Sequence, residues 1–130
     1  MPINVALDIP VDDRFVALAR FLAAEAGRMW ALGDERVYDV KVAVSEIVTN
    51  AVRAHRDAGL ADPVRITVEL DGEFVITVFD RGRGFPPDAR PAIDERGVSG
   101  HGLLIAQALT DDLHISRRDD GGMAVAMAWR

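Results

Sequence analysis

The chain of 130 residues contains no cysteine, which excludes disulfides, a thiolate nucleophile and cysteine-ligated metal, and which fits a reducing compartment. It has a single lysine, Lys41. That residue follows an aspartate and a valine rather than a glycine, so a P-loop, whose Gly-Lys-Ser/Thr grips phosphate, is excluded. Cationic side chains are also in deficit: 15 Lys and Arg stand against 21 Asp and Glu, for a net charge of −6. An acidic surface repels phosphate backbones and anionic lipid. No direct nucleic-acid contact and no membrane contact are therefore expected, and a basic protein partner suits the surface better. Long apolar runs are missing, since nothing approaches the ~18 uncharged residues a membrane helix needs. The opening MPINVALDIPVDDR has neither the basic nor the apolar part of a secretory leader, and a cytoplasmic protein is expected. The three histidines, at 55, 101 and 114, lack metal-ligand spacing and read as surface or packing residues.

What is present suits an ordinary globular chain, with 49% hydrophobic and 28% charged residues, and its length fits one domain spanning 1–130. Ile3 to Ile9 alternates and stops at Pro10, as a strand does. A helix capped by Asp12 or Asp13 carries Phe15, Leu18, Leu22, Ala26, Met29 and Trp30 at helical spacing and ends at Gly33. A second helix, capped by Asp34, runs to about Gly59 with Val37, Val40, Val44, Ile47, Val48 and Ala51 on one side. Val64 to Leu70 and Phe74 to Phe79 read as strands joined by Asp71-Gly72, a dipeptide suited to a type I′ turn. Residues 86 to 99, rich in proline and charge, read as an irregular lid. Gly102 to Thr110 resumes helical spacing, and His114 to Arg118 with Met123 to Trp129 forms a last hairpin. Helices early and hairpin-linked strands late predict an α+β fold, a two-layer sandwich with a mostly antiparallel, mixed sheet and helices on one face.

Two stretches ask for more than structure. On the side of the second helix away from the valines, Glu46 and Asn50 lie one turn apart. Beside them Val42 and Ala43 are small and apolar where solvent would favour charge, so something presses on that side. A carboxylate next to an amide can pair a proton acceptor with an oxygen ligand for magnesium. The apolar strand Phe74 to Phe79 ends in Asp80-Arg81-Gly82-Arg83-Gly84-Phe85, which by itself is a turn.

Glu46-x-x-x-Asn50 within SEIVTNAV, then Asp80-x-Gly82-x-Gly84, then Gly100-x-Gly102-Leu103 resemble, in order and separation, the N, G1 and G2 boxes of the GHKL ATPase superfamily. SEIVTNAV and GHGLLIAQALTDDLHI are most similar to the bacterial anti-sigma-factor serine kinases of the RsbW and SpoIIAB type. The likeness spans residues 4 to 129. It implies the GHKL (Bergerat) ATP-binding sandwich, with ATP or ADP and Mg2+ as ligands. Asp80 would accept a hydrogen bond from the adenine amine. Gly82 and Gly84 would let the backbone approach the nucleotide, with Phe85 at the edge of the slot. Gly100, His101, Gly102 and Leu103 would meet the phosphates at the start of a helix. Asn50 would hold magnesium, and Glu46 would take the proton from the attacking hydroxyl. The implied partners are a sigma factor and an anti-anti-sigma protein of the STAS type, with a homodimer formed through the first strand and helix and a role in stress-linked transcription control.

Three positions depart from that family's pattern. His101 stands where Arg is frequent, Met123 where Thr is common, and Ala54 where His is usual, with His55 one place later. These departures keep a second function open, a nucleotide-gated partner-binding module with little phosphotransfer. A third, the detached catalytic part of a histidine kinase, has no phosphoacceptor helix pair to support it. His55-Arg56-Asp57 spells the HRD of other kinases by coincidence, because the accompanying motifs are missing. Arg117-Arg118 reads as a solvated strand end, and Arg81, Arg83, Arg90 and Arg96 as arginines around the nucleotide mouth.

Overall fold

The computed structural model of the chain describes residues 2–81, 99–119 and 121–130. Strand β1 (Ile3–Ile9) leads through a 3₁₀ turn (Asp13–Phe15) into helix α1 (Val16–Met29) and then α2 (Asp34–Asp57). Strands β2 (Val64–Leu70) and β3 (Phe74–Asp80), helix α3 (Ser99–Leu109) and strands β4 (Asp112–Arg117) and β5 (Met123–Trp129) complete the order. The strands form one sheet, β1-β2-β3-β5-β4. All four neighbouring pairs are antiparallel, because the crossover from β3 through α3 sets β4 beyond β5 rather than beside β3. The α+β sandwich expected from the sequence is the fold observed. The irregular lid expected over 86 to 99 falls, up to residue 98, outside the described residues.

One face of the sheet is packed. Val64, Ile66, Val68 and Leu70 of β2 join Phe74, Ile76 and Val78 of β3 in a core shared with the valine side of α2, while Arg65 and Glu69 between them stay exposed. This is period-two alternation dividing wet from dry. Trp129, wholly buried, donates its indole N–H to the Leu109 carbonyl at 2.8 Å, tying the last strand to the end of α3.

Several local expectations change. The Asp12 side chain accepts from the Arg14 N–H and caps only the 3₁₀ turn. The buried face of α1 is Val16, Ala19, Ala23, Ala24, Ala26 and Gly27, whereas Leu18, Phe21 and Met29 are exposed. The small residues let α1 lie close to α2, while Phe15, Leu22 and Trp30 of the expected stripe pack partly buried against the core. Gly33, not Asp34, occupies the N-cap of α2. It makes no side-chain cap bond there, and Asp34 and Glu35 sit in the first turn, where negative charge suits the helix dipole. Helix α2 ends in a Schellman motif: Gly59 N–H donates to Arg56 O at 3.1 Å, Leu60 N–H to His55 O at 2.8 Å, and Gly59 takes φ +69°. The β2–β3 connection is not a type I′ turn. Leu70 pairs with Phe74, so three residues bridge the strands, and of Asp71 and Gly72 only the glycine has positive φ, whereas type I′ needs two.

Candidate functional site

Helix α2 organises the site. Glu46 and Asn50 are half-buried on it, on the side opposite the valines, and α3 packs there. Ala43 is fully buried in the same cluster as Leu103 and Ala106 of α3, which explains its small side chain. Ser45 also has partners, donating to Lys41 O at 2.7 Å and accepting from Arg20 Nη1 at 3.3 Å.

The contact that joins the distant motifs is at Gly102. Its backbone lies so near α2 that a Cβ built there would stand 2.8 Å from Asn50 Nδ2 and 3.2 Å from Glu46 Oε2. The helix begins at Ser99, three residues before the point its periodicity suggested. Gly100, His101 and Gly102 therefore fall in its first turn, where N–H groups have no intrahelical acceptor and favour anions. His101 is exposed, Gly102 is buried, and the Leu103 side chain is turned into the core, so Leu103 can offer an anion only its backbone.

Asp80 is the last residue of β3, half-buried and paired with Met123 of β5. Gly82, Gly84 and Phe85 lie outside the described residues, as do Arg83, Arg90 and Arg96. Arg81 is exposed and pairs with Asp62 at 2.6 Å.

Three neighbours of Asp80 escape a reading of the sequence by motif. His55 is neither superficial nor simple packing: it is completely buried, and both ring nitrogens are bonded. Nδ1 lies 2.8 Å from Asp62 O, which can only accept, so the proton sits on Nδ1. Nε2 then accepts the Arg81 N–H at 2.8 Å. Arg118 is half-buried rather than a solvated strand end. It donates to Asp80 O at 3.1 Å and lies 5.3 Å from the Phe79 ring centroid. Gly122 presses on the same place, for a Cβ there would stand 2.0 Å from Asp80 O. A signal for His55 was available, since it continues the valine side of α2 at four residues beyond Ala51 and seven beyond Val48. It also lies five residues past Asn50, about 7.5 Å along the helix axis. One helix thus positions the end of β3, the carboxylate–amide pair and the start of α3.

Among the described residues no group of three or more His, Asp or Glu side chains is arranged to hold a metal ion. One amide ligand is nevertheless enough where phosphate and water complete a magnesium shell. No helix among the described residues is long and apolar enough to cross a membrane. The carboxylates held below their usual range make structural pairs: Asp8 through Arg65, Asp12 through Arg14, and Asp111 first through the Arg130 N–H.

A sequence model of the histidine kinase-like ATPase domain matches residues 9–129. The chain belongs to the histidine kinase-like ATPase family. Among curated relatives, this histidine kinase-like ATPase is similar to the serine-protein kinase RsbW of Listeria monocytogenes, at 28% identity over 95% of the chain and 85% of the relative. It is similar also to RsbW of Bacillus velezensis, at 29% identity over 95% and 82%. Its fold matches a structure of the RsbU and RsbW domains of Rv1364c from Mycobacterium tuberculosis, with TM-score 0.73, 19% identity and 98% of the chain covered. The chain spans about a third, 32%, of that longer protein. The SiaB–SiaC complex structure from Pseudomonas aeruginosa matches with TM-score 0.70 at 10% identity, over 95% of this chain and 88% of the other.

Proposed function

We infer that this histidine kinase-like ATPase binds ATP with magnesium and transfers phosphate to a serine of an anti-anti-sigma protein of the STAS type. In this reading it also sequesters a sigma factor until that antagonist displaces it. The observation that carries the inference is the meeting of Glu46, Asn50 and Gly102: a carboxylate and an amide are held against the backbone of a helix start, in a cradle that one extra methyl group would fill. Such a place suits a metal-bound polyphosphate. Asn50 would supply an oxygen ligand to magnesium, which when bound neutralises phosphate charge. The first-turn N–H groups of α3 would orient the phosphates, and the Glu46 carboxylate would take the proton from the serine hydroxyl. Asp80 would accept from the adenine amine and so select the base. The relatives named serine-protein kinase RsbW support the acceptor class.

The exposed Leu18, Phe21 and Met29 of α1, with Ile3 and Val5 of the edge strand β1, support a homodimer across that surface. Sedimentation of wild type against Phe21→Arg tests it: a monomeric wild type refutes the dimer.

The function is tested with labelled ATP, magnesium and a STAS-type antagonist, comparing wild type with Glu46→Ala. Serine labelling that disappears in the variant supports the kinase. Nucleotide binding with no labelling by wild type favours the nucleotide-gated binding module, to which the exposed His101 in place of the family's arginine lends some support. No binding of ATP refutes both.

A further inference from the structure

The peptide unit joining Asp80 to Arg81 is held at both ends by side chains. Its carbonyl accepts from Arg118 Nη1 at 3.1 Å and its N–H donates to His55 Nε2 at 2.8 Å. Around it the backbone of Gly122 leaves no room for a Cβ, which would lie 2.0 Å from the carbonyl oxygen and 2.9 Å from Arg81 Cα. The holders come from three places: the last turn of α2, the residue that follows β4 and the residue that precedes β5. Each is itself anchored. His55 donates to Asp62 O, Arg81 pairs with the Asp62 carboxylate, and the Arg118 guanidinium rests over Phe79. A strand end bordering a connection is ordinarily where backbone angles vary most. Here the plane that sets the direction of the Asp80 Cα–Cβ bond is held by charged and buried partners, which are among the stronger hydrogen-bond types.

We propose that His55 and Arg118 are positioning residues for base discrimination: by fixing the 80–81 peptide they aim the Asp80 carboxylate, and with it the preference of the site for a base carrying an exocyclic amine. The proposal rests on the reading that Asp80 receives the adenine amine. His55 does this work from the position after the one that the family pattern assigns to histidine, on the core side of α2, and it touches no ligand.

Two substitutions of similar size separate positioning from packing. In His55→Gln the amide oxygen reaches the place of Nε2 and still accepts the Arg81 N–H. In His55→Asn the side chain can serve Asp62 O but leaves the Arg81 N–H without its acceptor. Arg118→Met keeps the apolar stem over Phe79 and removes the guanidinium. Calorimetric titration of each variant, as the full chain, with ATP and with ITP reads the effect, because inosine carries a carbonyl oxygen where adenine has its amine.

Wild type should prefer ATP over ITP by about 10- to 100-fold, the worth of one hydrogen bond to a charged acceptor. In His55→Asn and Arg118→Met that ratio should fall to within about threefold, almost entirely through weaker ATP binding, while His55→Gln retains most of it. Equal loss of both nucleotides, or an unchanged ratio, in His55→Asn and Arg118→Met overturns the proposal and leaves the role of Asp80 standing. A wild type without preference, or an Asp80→Ala variant that keeps it, overturns the role of Asp80 and the proposal together. If His55→Asn does not fold, Arg118→Met decides the matter, its side chain being only half-buried.

Discussion

Replacing Gly102 by alanine tests the contact on which the proposed phosphate site depends, because the structure separates its effect on folding from its effect on binding. The new Cβ would meet Asn50 Nδ2 at 2.8 Å, and ordinary contact begins at 3.4 Å, so the amide must retreat by about 0.6 Å. The obstacle is the end of a side chain, which can swing aside at about 0.5–1.5 kcal/mol for leaving its preferred rotamer. Against this, alanine is better than glycine inside a helix by about 1 kcal/mol. The two nearly cancel, so the melting temperature should stay within about 4 °C of wild type. Binding has no such compensation. Displacing groups around a metal typically lowers affinity or activity by about 10- to 100-fold, and the dissociation constant for ATP with magnesium should rise by at least about tenfold. Titration with ATP in magnesium and in EDTA, beside a thermal melt, measures both parts. A variant that melts normally and binds magnesium-ATP within about twofold of wild type would refute the reasoning, since the proposed metal ligand would then tolerate the displacement.

Three other perturbations have defined outcomes. Gly122→Ala meets backbone at 2.0 Å instead of a movable side chain, so urea unfolding should show a loss of about 3 kcal/mol or more, at the top of the range for overpacking; a loss below about 1 kcal/mol would mean the β5 start can shift away from Asp80. Trp129→Phe removes the donor to Leu109 O and buried volume with it. Denaturant unfolding should show at least about 2 kcal/mol of destabilisation, and a neutral result would rule out that bond as a tie between α3 and the sheet. Asp12 is held at about 2, below its ordinary 3.8, first by the Arg14 side chain and then by the Arg14 N–H. Because the folded value is the lower one, its contribution is present above 3.8 and disappears as pH falls through about 2. The melting-temperature gap between wild type and Asp12→Asn should therefore close over that interval and be smaller at high salt; a gap independent of pH would contradict it.

The sequence made the helical side of the core legible through α2, because Val37, Val40, Val44 and Ile47 are large, apolar and regularly spaced. It was only half right for α1, where Phe15, Leu22, Ala26 and Trp30 do pack on the core but alanines carry most of the buried face and Leu18 and Met29 face outward. Apolar spacing reports which residues avoid water in general and not which of two apolar sides meets a neighbour. Glu46 and Asn50 stood out because Ala43 beside them broke the pattern of a solvent face, and α3 proves to be what covers it. His55 and Arg118 did not stand out. Their role comes from hydrogen bonds to main-chain atoms 26 and 38 residues away in sequence, and a backbone partner leaves no trace in residue types. The crowding at Gly102 and Gly122 is hidden likewise, since a glycine chosen for space reads the same as one chosen for a turn.

Strand β3 is the middle member of the five, with β2 along one edge and β5 along the other. Each of its amides bonds to one flanking strand or the other, so exposing the whole strand requires both ladders to part, an opening that approaches whole-molecule unfolding in magnitude, whereas outer strand β1 has a single partner. In hydrogen–deuterium exchange Ile76 to Val78 should consequently rank with the slowest segments, ahead of the end at Asp80, which the ladder joins to β5 alone.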